Sequence, residues 1–345
     1  MEIADKKVKA NKPIIGITIG DVNGVGPEVI IKALSDPRML EHLTPVIFGS
    51  TKVLSFYRKL LNFEDFHYNQ VKGIHDLNPR KVNVINCWSE MVEIKVGQVT
   101  SEAGNCAYLS LREATNHLKE DKIDAIVTAP INKKNIQRDD FKFVGHTDFI
   151  TQELGMSENL MLMVNENLRI GVVTAHIPVN EISQSLTKEA VENKLKILIK
   201  TLKNDFGIDK PKIALLGLNP HAGEDGLLGK EESEVIEPVI SEFKNKGHLV
   251  FGPYPSDGFF GTLQFQKYDG ILAMYHDQGL IPFKMLGFES GVNFTAGIPK
   301  VRTSPDHGTA YSIAGKNIAN SLSMREAIYL AANTVKIRNQ ASIPA

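Results

Sequence analysis

Short apolar runs rich in valine and isoleucine recur along the chain. Each is followed by a loop of Gly, Pro or Asn and then by a helical spacing. Strands are expected at residues 14–19, 46–48, 82–85, 123–128, 160–164, 169–174, 212–216 and 270–274. Most of these runs are continuously apolar instead of alternating, the pattern of strands covered on both faces. Ala103, Ala107, Leu111, Ala114 and Leu118 fall at spacings of three and four and predict one apolar helix stripe. Thr187 is placed to cap a second helix carrying Val191, Leu195, Leu198, Ile199 and Leu202, with Gly207 to end it. Val235, Ile236, Val239, Ile240 and Phe243 mark a third, stopped at Gly247, and a last helix is expected from near Ser323. Strands alternating with helices predict an α/β fold with a mostly parallel or mixed sheet.

Length makes two domains, or one large one, the expectation: 345 residues at about 150 per domain. No long linker is visible, so the two should share a broad interface. Hydrophobic residues at 42% and charged residues at 23% exclude a mainly disordered chain. The net charge of -1 lacks the basic excess expected of a nucleic-acid binder. Two cysteines, Cys87 and Cys106, make no disulfide framework and have no CxxC spacing, which points to reducing cytosol. The lysine-rich start, residues 1–13, has no apolar segment of a secretory signal. No apolar run approaches the roughly 18 to 20 residues that span a bilayer. The expected setting is cytoplasmic, without membrane or nucleic-acid partners.

Several clusters can carry chemistry. Gly20-Asp21-Val22-Asn23-Gly24-Val25-Gly26-Pro27-Glu28 follows a strand and opens a helix at Pro27. Its spacing is neither GxGxxG nor GxxxxGK[ST], so it reads either as a tight strand-to-helix turn or as a ligand loop. His176, His221 and His276 each sit just past the C-terminal end of an apolar strand, the edge where open α/β sheets bind ligands. One such histidine is ordinarily a hydrogen-bonded loop residue. Three in equivalent positions suit a catalytic metal with an open position, and nitrogen ligation favours zinc over magnesium. His146 and Thr147, in Gly145-His146-Thr147-Asp148, can hold a substrate oxygen, while Thr147 or Asp148 can also cap a helix running through Leu154. Lys284, Asn293 and Arg302 lie among glycines and prolines and read as loop residues suited to phosphate or carboxylate. The polar, glycine-rich run from Asp306 to Asn320 reads as a binding loop before the last helix.

Seven motifs then occur in a familiar order: residues 20–28, Thr-Ala-Pro-Ile-Asn-Lys at 128–133, Gly-His-Thr at 145–147, Ala-His-Ile-Pro at 175–178, Asn-Pro-His-Ala-Gly-Glu at 219–224, Tyr-His-Asp-Gln-Gly at 275–279, and 293–310. Together, from about Pro13 to about Ile337, they resemble the 4-hydroxythreonine-4-phosphate dehydrogenase family of pyridoxal phosphate (vitamin B6) biosynthesis. The resemblance implies a homodimer with the active site at the subunit interface. It implies two α/β domains with mixed sheets, isocitrate/isopropylmalate dehydrogenase-like and not Rossmann. These are placed at residues 1–135 plus 305–345 on the cofactor side and at 136–304 for the metal and dimer interface. It implies metal ligands His176, His221 and His276 contributed by both subunits, with zinc ahead of magnesium or cobalt. Substrate contacts fall on His146, Thr147, Lys284, Asn293 and Arg302. The 307–320 segment looks like an adenosine-binding loop for NAD or NADP, with contacts at His307, Gly308, Thr309, Ala310 and Asn320. One departure is Gly258 beside Asp257, where a side-chain-bearing residue such as Thr is expected.

The implied reaction is NAD-dependent oxidation of 4-phosphooxy-L-threonine to 2-amino-3-oxo-4-phosphooxybutanoate, which loses CO₂ to give 3-amino-2-oxopropyl phosphate. Lys133 and Asp257 are the candidates for general base. Three alternatives stand beside this reading: a paralogous dehydrogenase of D-threonate or D-erythronate 4-phosphate, a metal-dependent hydrolase, and a non-catalytic phosphometabolite-binding protein.

Overall fold

The computed structural model describes residues 12–139 and 141–341. Most of the lysine-rich start read above as non-secretory lies outside them. Among the described residues twelve strands form one sheet: β1 (Ile14–Thr18), β2 (Thr44–Gly49), β3 (Tyr68–Val71), β4 (Val82–Asn86), β5 (Ala125–Thr128), β6 (Leu160–Val164), β7 (Arg169–Thr174), β8 (Lys212–Leu216), β9 (Leu249–Tyr254), β10 (Gly270–Tyr275), β11 (Val292–Ala296) and β12 (Val301–Pro305). Their order is β3-β4-β2-β1-β5-β12-β11-β6-β7-β10-β8-β9. Neighbours are parallel except at β12–β11, β11–β6 and β6–β7. These three reversals make β7, β10, β8 and β9 run opposite to the strands of the other half. The fold is thus α/β with a mixed sheet and without the Rossmann strand order. The boundary expected at 304/305 falls inside β12, which pairs with β5 on one side and β11 on the other.

The apolar runs do what continuous hydrophobicity demands. Ile15, Ile17, Ile47, Val127 and Val173 pack on one face, with the helices Gly26–Leu34, Lys188–Asn204 and Leu322–Ala341. Val46, Phe48 and Ile126 face the other side, against Ala107, Leu111, Ala114 and Leu118 of the helix Ser101–Lys119. Farther along, Ile170 and Val172 pack with Leu280 and Phe283 of the helix His276–Gly287. Burying one such aliphatic side chain contributes about 1.5–3 kcal/mol. Thr187 caps its helix by accepting from Ala190 N at 3.2 Å. Gly207 and Gly247 follow their helices at φ +69° and +84°.

Some expectations needed correction. The third helix is not continuous: a π-turn over Glu232–Ile236 precedes the helix Glu237–Asn245, with Pro238 at its start. Proline has no N–H to give, so the preceding turn closes differently. Four strands, β3, β9, β11 and β12, were not anticipated. Lys284, Asn293 and Arg302 are not loop residues; they lie on the helix His276–Gly287, on β11 and on β12. The helix His146–Glu153 has Gly145, not Thr147 or Asp148, at its N-cap, with no side-chain cap.

Candidate active site

A cleft of about 430 Å³ opens over β5, β12, β11 and β6. Its floor follows from the strand period of two. Arg302 and Ser304, Asn293, Met161 and Met163, and Thr128 line the cleft. Their neighbours Val301, Phe294, Leu162 and Val127 belong to the core on the opposite face. The walls carry Lys133, His146, Thr147, Asp148, His176, His276, Lys284, Asp306, His307 and Gly308.

Arg302 dominates the floor. It is 2% exposed, yet among the described residues its hydrogen bonds go only to hydroxyls. Nη1 donates to Thr147 Oγ1 and Thr295 Oγ1, both at 3.0 Å, and Nη2 donates to Thr128 Oγ1 at 2.7 Å. Nε has no partner. Burial pulls its pKa from 12.5 down to about 10, with Asp148 acting the other way. Thr147 can accept this bond because Gly145, not Thr147, sits at the helix start. Behind the turn, Phe141, Phe143 and Phe149 pack with ring centroids 5.2–5.3 Å apart and hold it in place.

Beside Arg302, His146 keeps a buried Nε2 without a partner. Burial, then the Arg302 and Lys133 charges, push its pKa from 6.5 down to about 3, so the ring is neutral at pH 7. Lys284 lies 3.7 Å from Asp306 Oδ1. Burial raises the Asp306 pKa although Lys284 opposes it, and Asp306 Oδ2 is unpartnered. His307 Nε2 is likewise buried and free, and burial lowers its pKa.

The three strand-end histidines follow β7, β8 and β10, which are adjacent and parallel. Only two meet. The His176 and His276 rings lie 5.7 Å apart on the cleft wall. His276 Nδ1 faces Asp277 Oδ1 at 2.7 Å, which favours the proton on Nδ1 and leaves Nε2 as an acceptor. Burial, Lys133 and His276 lower the His176 pKa and favour the neutral imidazole that a metal requires. The donor chemistry therefore fits a nitrogen-ligated transition ion. His221 does not line the cleft. It is exposed at φ +53° in a turn where Ala222, Gly223, Glu224 and Asp225 also have positive φ. Asp257 is on the adjoining short helix Ser256–Gly261, also exposed and away from the cleft. Among the described residues no group of three or more His, Cys, Asp or Glu could hold a metal ion within one chain.

The Gly20–Glu28 segment resolves as the tight turn. Residues 20–28 are buried, and several of their backbone donors are used internally: Asp21 N to Pro130 O, Gly24 N to Asp21 O and Val25 N to Thr309 O. A Cβ on Gly24 would lie 2.7 Å from Thr309 O, so that turn packs directly on the 307–320 segment. Of that segment, His307 and Gly308 reach the cleft, while Thr309, Ala310 and Asn320 do not line it. Asn320 Oδ1 instead accepts from Leu322 N at the start of the last helix. A Cβ on Gly308 would meet no atom of this chain, which leaves room there for a ligand. A side chain at Gly258 would also meet open space. Sequence reasoning gave no role to Asn159, Met161 or Met163, and held Thr128, Ser304 and Asp306 only within the 128–133 and 293–320 stretches without a role of their own. The Leu-Met-Leu-Met-Val run of β6 and the Arg-Thr-Ser run of β12 carried the signal as alternation between core and cleft.

The family described as "Pyridoxal phosphate biosynthetic protein PdxA" matches residues 41–331. The chain is 48% identical over 334 residues to a 4-hydroxythreonine-4-phosphate dehydrogenase of Bacteroides thetaiotaomicron, covering 96% of this chain and 92% of that one. It is 40% identical over 326 residues to a protein of Oceanobacillus iheyensis provisionally named D-threonate 4-phosphate dehydrogenase, covering 93% and 98%. A crystal structure of 4-hydroxythreonine-4-phosphate dehydrogenase from Klebsiella pneumoniae superposes with a TM-score of 0.80 at 34% identity, covering 95% of this chain and 99% of that one. On sequence and fold alike, this chain belongs to the pyridoxal phosphate biosynthetic protein PdxA family.

Proposed function

We propose that this chain is a metal- and NAD(P)-dependent dehydrogenase that oxidises the C3 hydroxyl of 4-phosphooxy-L-threonine. The product, 2-amino-3-oxo-4-phosphooxybutanoate, loses CO₂ to give 3-amino-2-oxopropyl phosphate. The observation that carries this reading is Arg302: a buried guanidinium whose hydrogen bonds reach only hydroxyls, on the floor of a cleft of small-molecule size. A buried cation with no carboxylate hydrogen-bonded to it is costly, so the site suits an anionic ligand.

Arg302, Lys284 and Asn293 bind and orient the anionic ends of the substrate. Neutral His146, with its open Nε2, and Thr147 hydrogen-bond a substrate oxygen. His176 and His276 would hold a divalent ion, zinc in preference to magnesium or cobalt, and such an ion would acidify the substrate hydroxyl. A nicotinamide held beside His307 and Gly308 would accept the C3 hydride, and a base of the cleft would take the hydroxyl proton. Of the two base candidates Lys133 lines the cleft and Asp257 does not. Decarboxylation of the β-keto acid moves the carboxylate electrons into the new carbonyl.

Two histidines from one chain leave a three-ligand site incomplete. We infer a homodimer in which a second copy supplies His221. The cleft-side helix supports this, because Ile281, Met285, Leu286 and Phe288 are exposed on and just beyond it. Leu227 and Leu228 near His221 are exposed as well.

The Oceanobacillus relative makes D-threonate 4-phosphate the rival substrate, with a hydroxyl in place of the C2 ammonium. NADH formation is to be measured with 4-phosphooxy-L-threonine, D-threonate 4-phosphate and D-erythronate 4-phosphate in parallel. The proposal expects the highest kcat/KM for the amino acid. A higher value for either sugar acid would move the chain to the paralogous activity. Turnover without any nicotinamide would make it a hydrolase.

A further inference from the structure

The cleft does not use the Gly20–Glu28 motif, yet its last residue is fully buried. Glu28 is 0% exposed in the first turn of the helix Gly26–Leu34. Its Oε1 accepts from Ala319 N at 3.0 Å and from Lys32 Nζ at 2.9 Å. Its Oε2 accepts from Gly315 N at 3.0 Å. Lys32 Nζ closes the group by donating to Ala319 O at 2.9 Å. One carboxylate thus holds two backbone amides of the 307–320 loop from across the chain.

The loop has reason to need such a hold. Its internal backbone bonds are tight turns, such as Ile313 N to Ala310 O and Lys316 N to Ile313 O. Ala310, Gly315 and Asn317 have φ of 41°, 70° and 60°, a region that a free peptide seldom adopts at three nearby positions. Fixing such a segment costs conformational entropy, and a loop not already ordered must meet that cost when its ligand binds.

We propose that Glu28 is a positioning residue for the nucleotide: by holding the Gly315 and Ala319 amides it pre-forms the 307–320 loop. The inference rests on the nucleotide role proposed above for that loop. Glu28→Gln keeps the shape, but its NH₂ group turns a donor toward an N–H and it loses the charge that pairs with Lys32.

The test uses the full-length enzyme. NAD⁺ affinity is measured by calorimetry, loop order by amide exchange without ligand, and the substrate KM at saturating NAD⁺. In Glu28→Gln the NAD⁺ Kd should rise about tenfold, the scale of one weakened charge-assisted hydrogen bond. Exchange at Gly315 and Ala319 should quicken, while the substrate KM stays within about twofold. A purely structural role predicts equal losses for both ligands with a lower Tm. That result, or an NAD⁺ Kd equal to wild type, overturns the proposal. If Glu28→Gln does not fold, Lys32→Met decides: it keeps the carboxylate, should raise the NAD⁺ Kd by a smaller factor, and an unchanged Kd overturns the proposal. Wild-type protein that fails to bind NAD⁺ would overturn the nucleotide reading itself, an outcome distinct from normal wild-type binding with an unaltered variant.

Discussion

On the proposed reading, Arg302 trades stability for substrate binding. Its desolvation is only partly offset by three hydroxyl acceptors. Arg302→Met should therefore leave the thermal midpoint equal or higher while kcat/KM falls by about two to three orders of magnitude. A variant that loses stability and activity together would contradict this assignment. His146 gives a pH signature. Folded, it titrates near pH 3; unfolded, near 6.5. Between those values the unfolded chain binds a proton that the fold refuses. Stability on this account is fully present above 6.5, falls as pH drops toward 3, and levels off below. His146→Gln should flatten that part of a plot of urea midpoint against pH. An unchanged acid slope would assign the effect to another group. Both residues stood out in the sequence as substrate-binding candidates, although Arg302 was read as a loop residue and lies on β12. Asp306 did not stand out, because a carboxylate beside His-Gly-Thr has no spacing that reveals its burial or its approach to Lys284.

Elements were legible where burial is symmetric. The runs at 169–174 and 212–216 match β7 and β8 at both ends, since covered faces leave no polar residue to interrupt their middles, and 160–164 matches β6 because its cleft-facing positions are the apolar Met161 and Met163. β11 and β12 were hidden because one face lines the cleft, so Asn293, Arg302 and Ser304 broke the apolar pattern. The 307–320 segment was recognisable as a loop, but its supports were not, since Glu28 and Gly315 are 287 residues apart. At Gly308 the space beside the backbone is open. Gly308→Val should leave the thermal midpoint within about 1 °C, as expected for an exposed site, and raise the NAD⁺ constant more than the substrate constant. If only the substrate constant moves, the loop serves the phosphorylated substrate instead.

At the scale of the molecule, the sheet order explains why sequence could name three histidines but not gather them. β7, β10 and β8 are neighbours, yet the left-handed turn after β8 carries His221 away from the cleft. Within one chain His176 and His276 lie as a pair, without His221. Mixed dimers of His176→Ala with His221→Ala should then have one intact site of two. A random mixture should recover about a quarter of wild-type activity, because half of its dimers are mixed. His176→Ala with His276→Ala should recover none. Recovery by the second pair alone would place those two ligands in different subunits. The central claim, oxidation followed by loss of the carboxylate, is tested most directly by measuring NADH and CO₂ together from 4-phosphooxy-L-threonine, with and without a chelator. The account predicts one NADH and one CO₂ per substrate consumed, both abolished by metal removal and restored by zinc; substrate consumed without NADH, or turnover indifferent to the chelator, would contradict it.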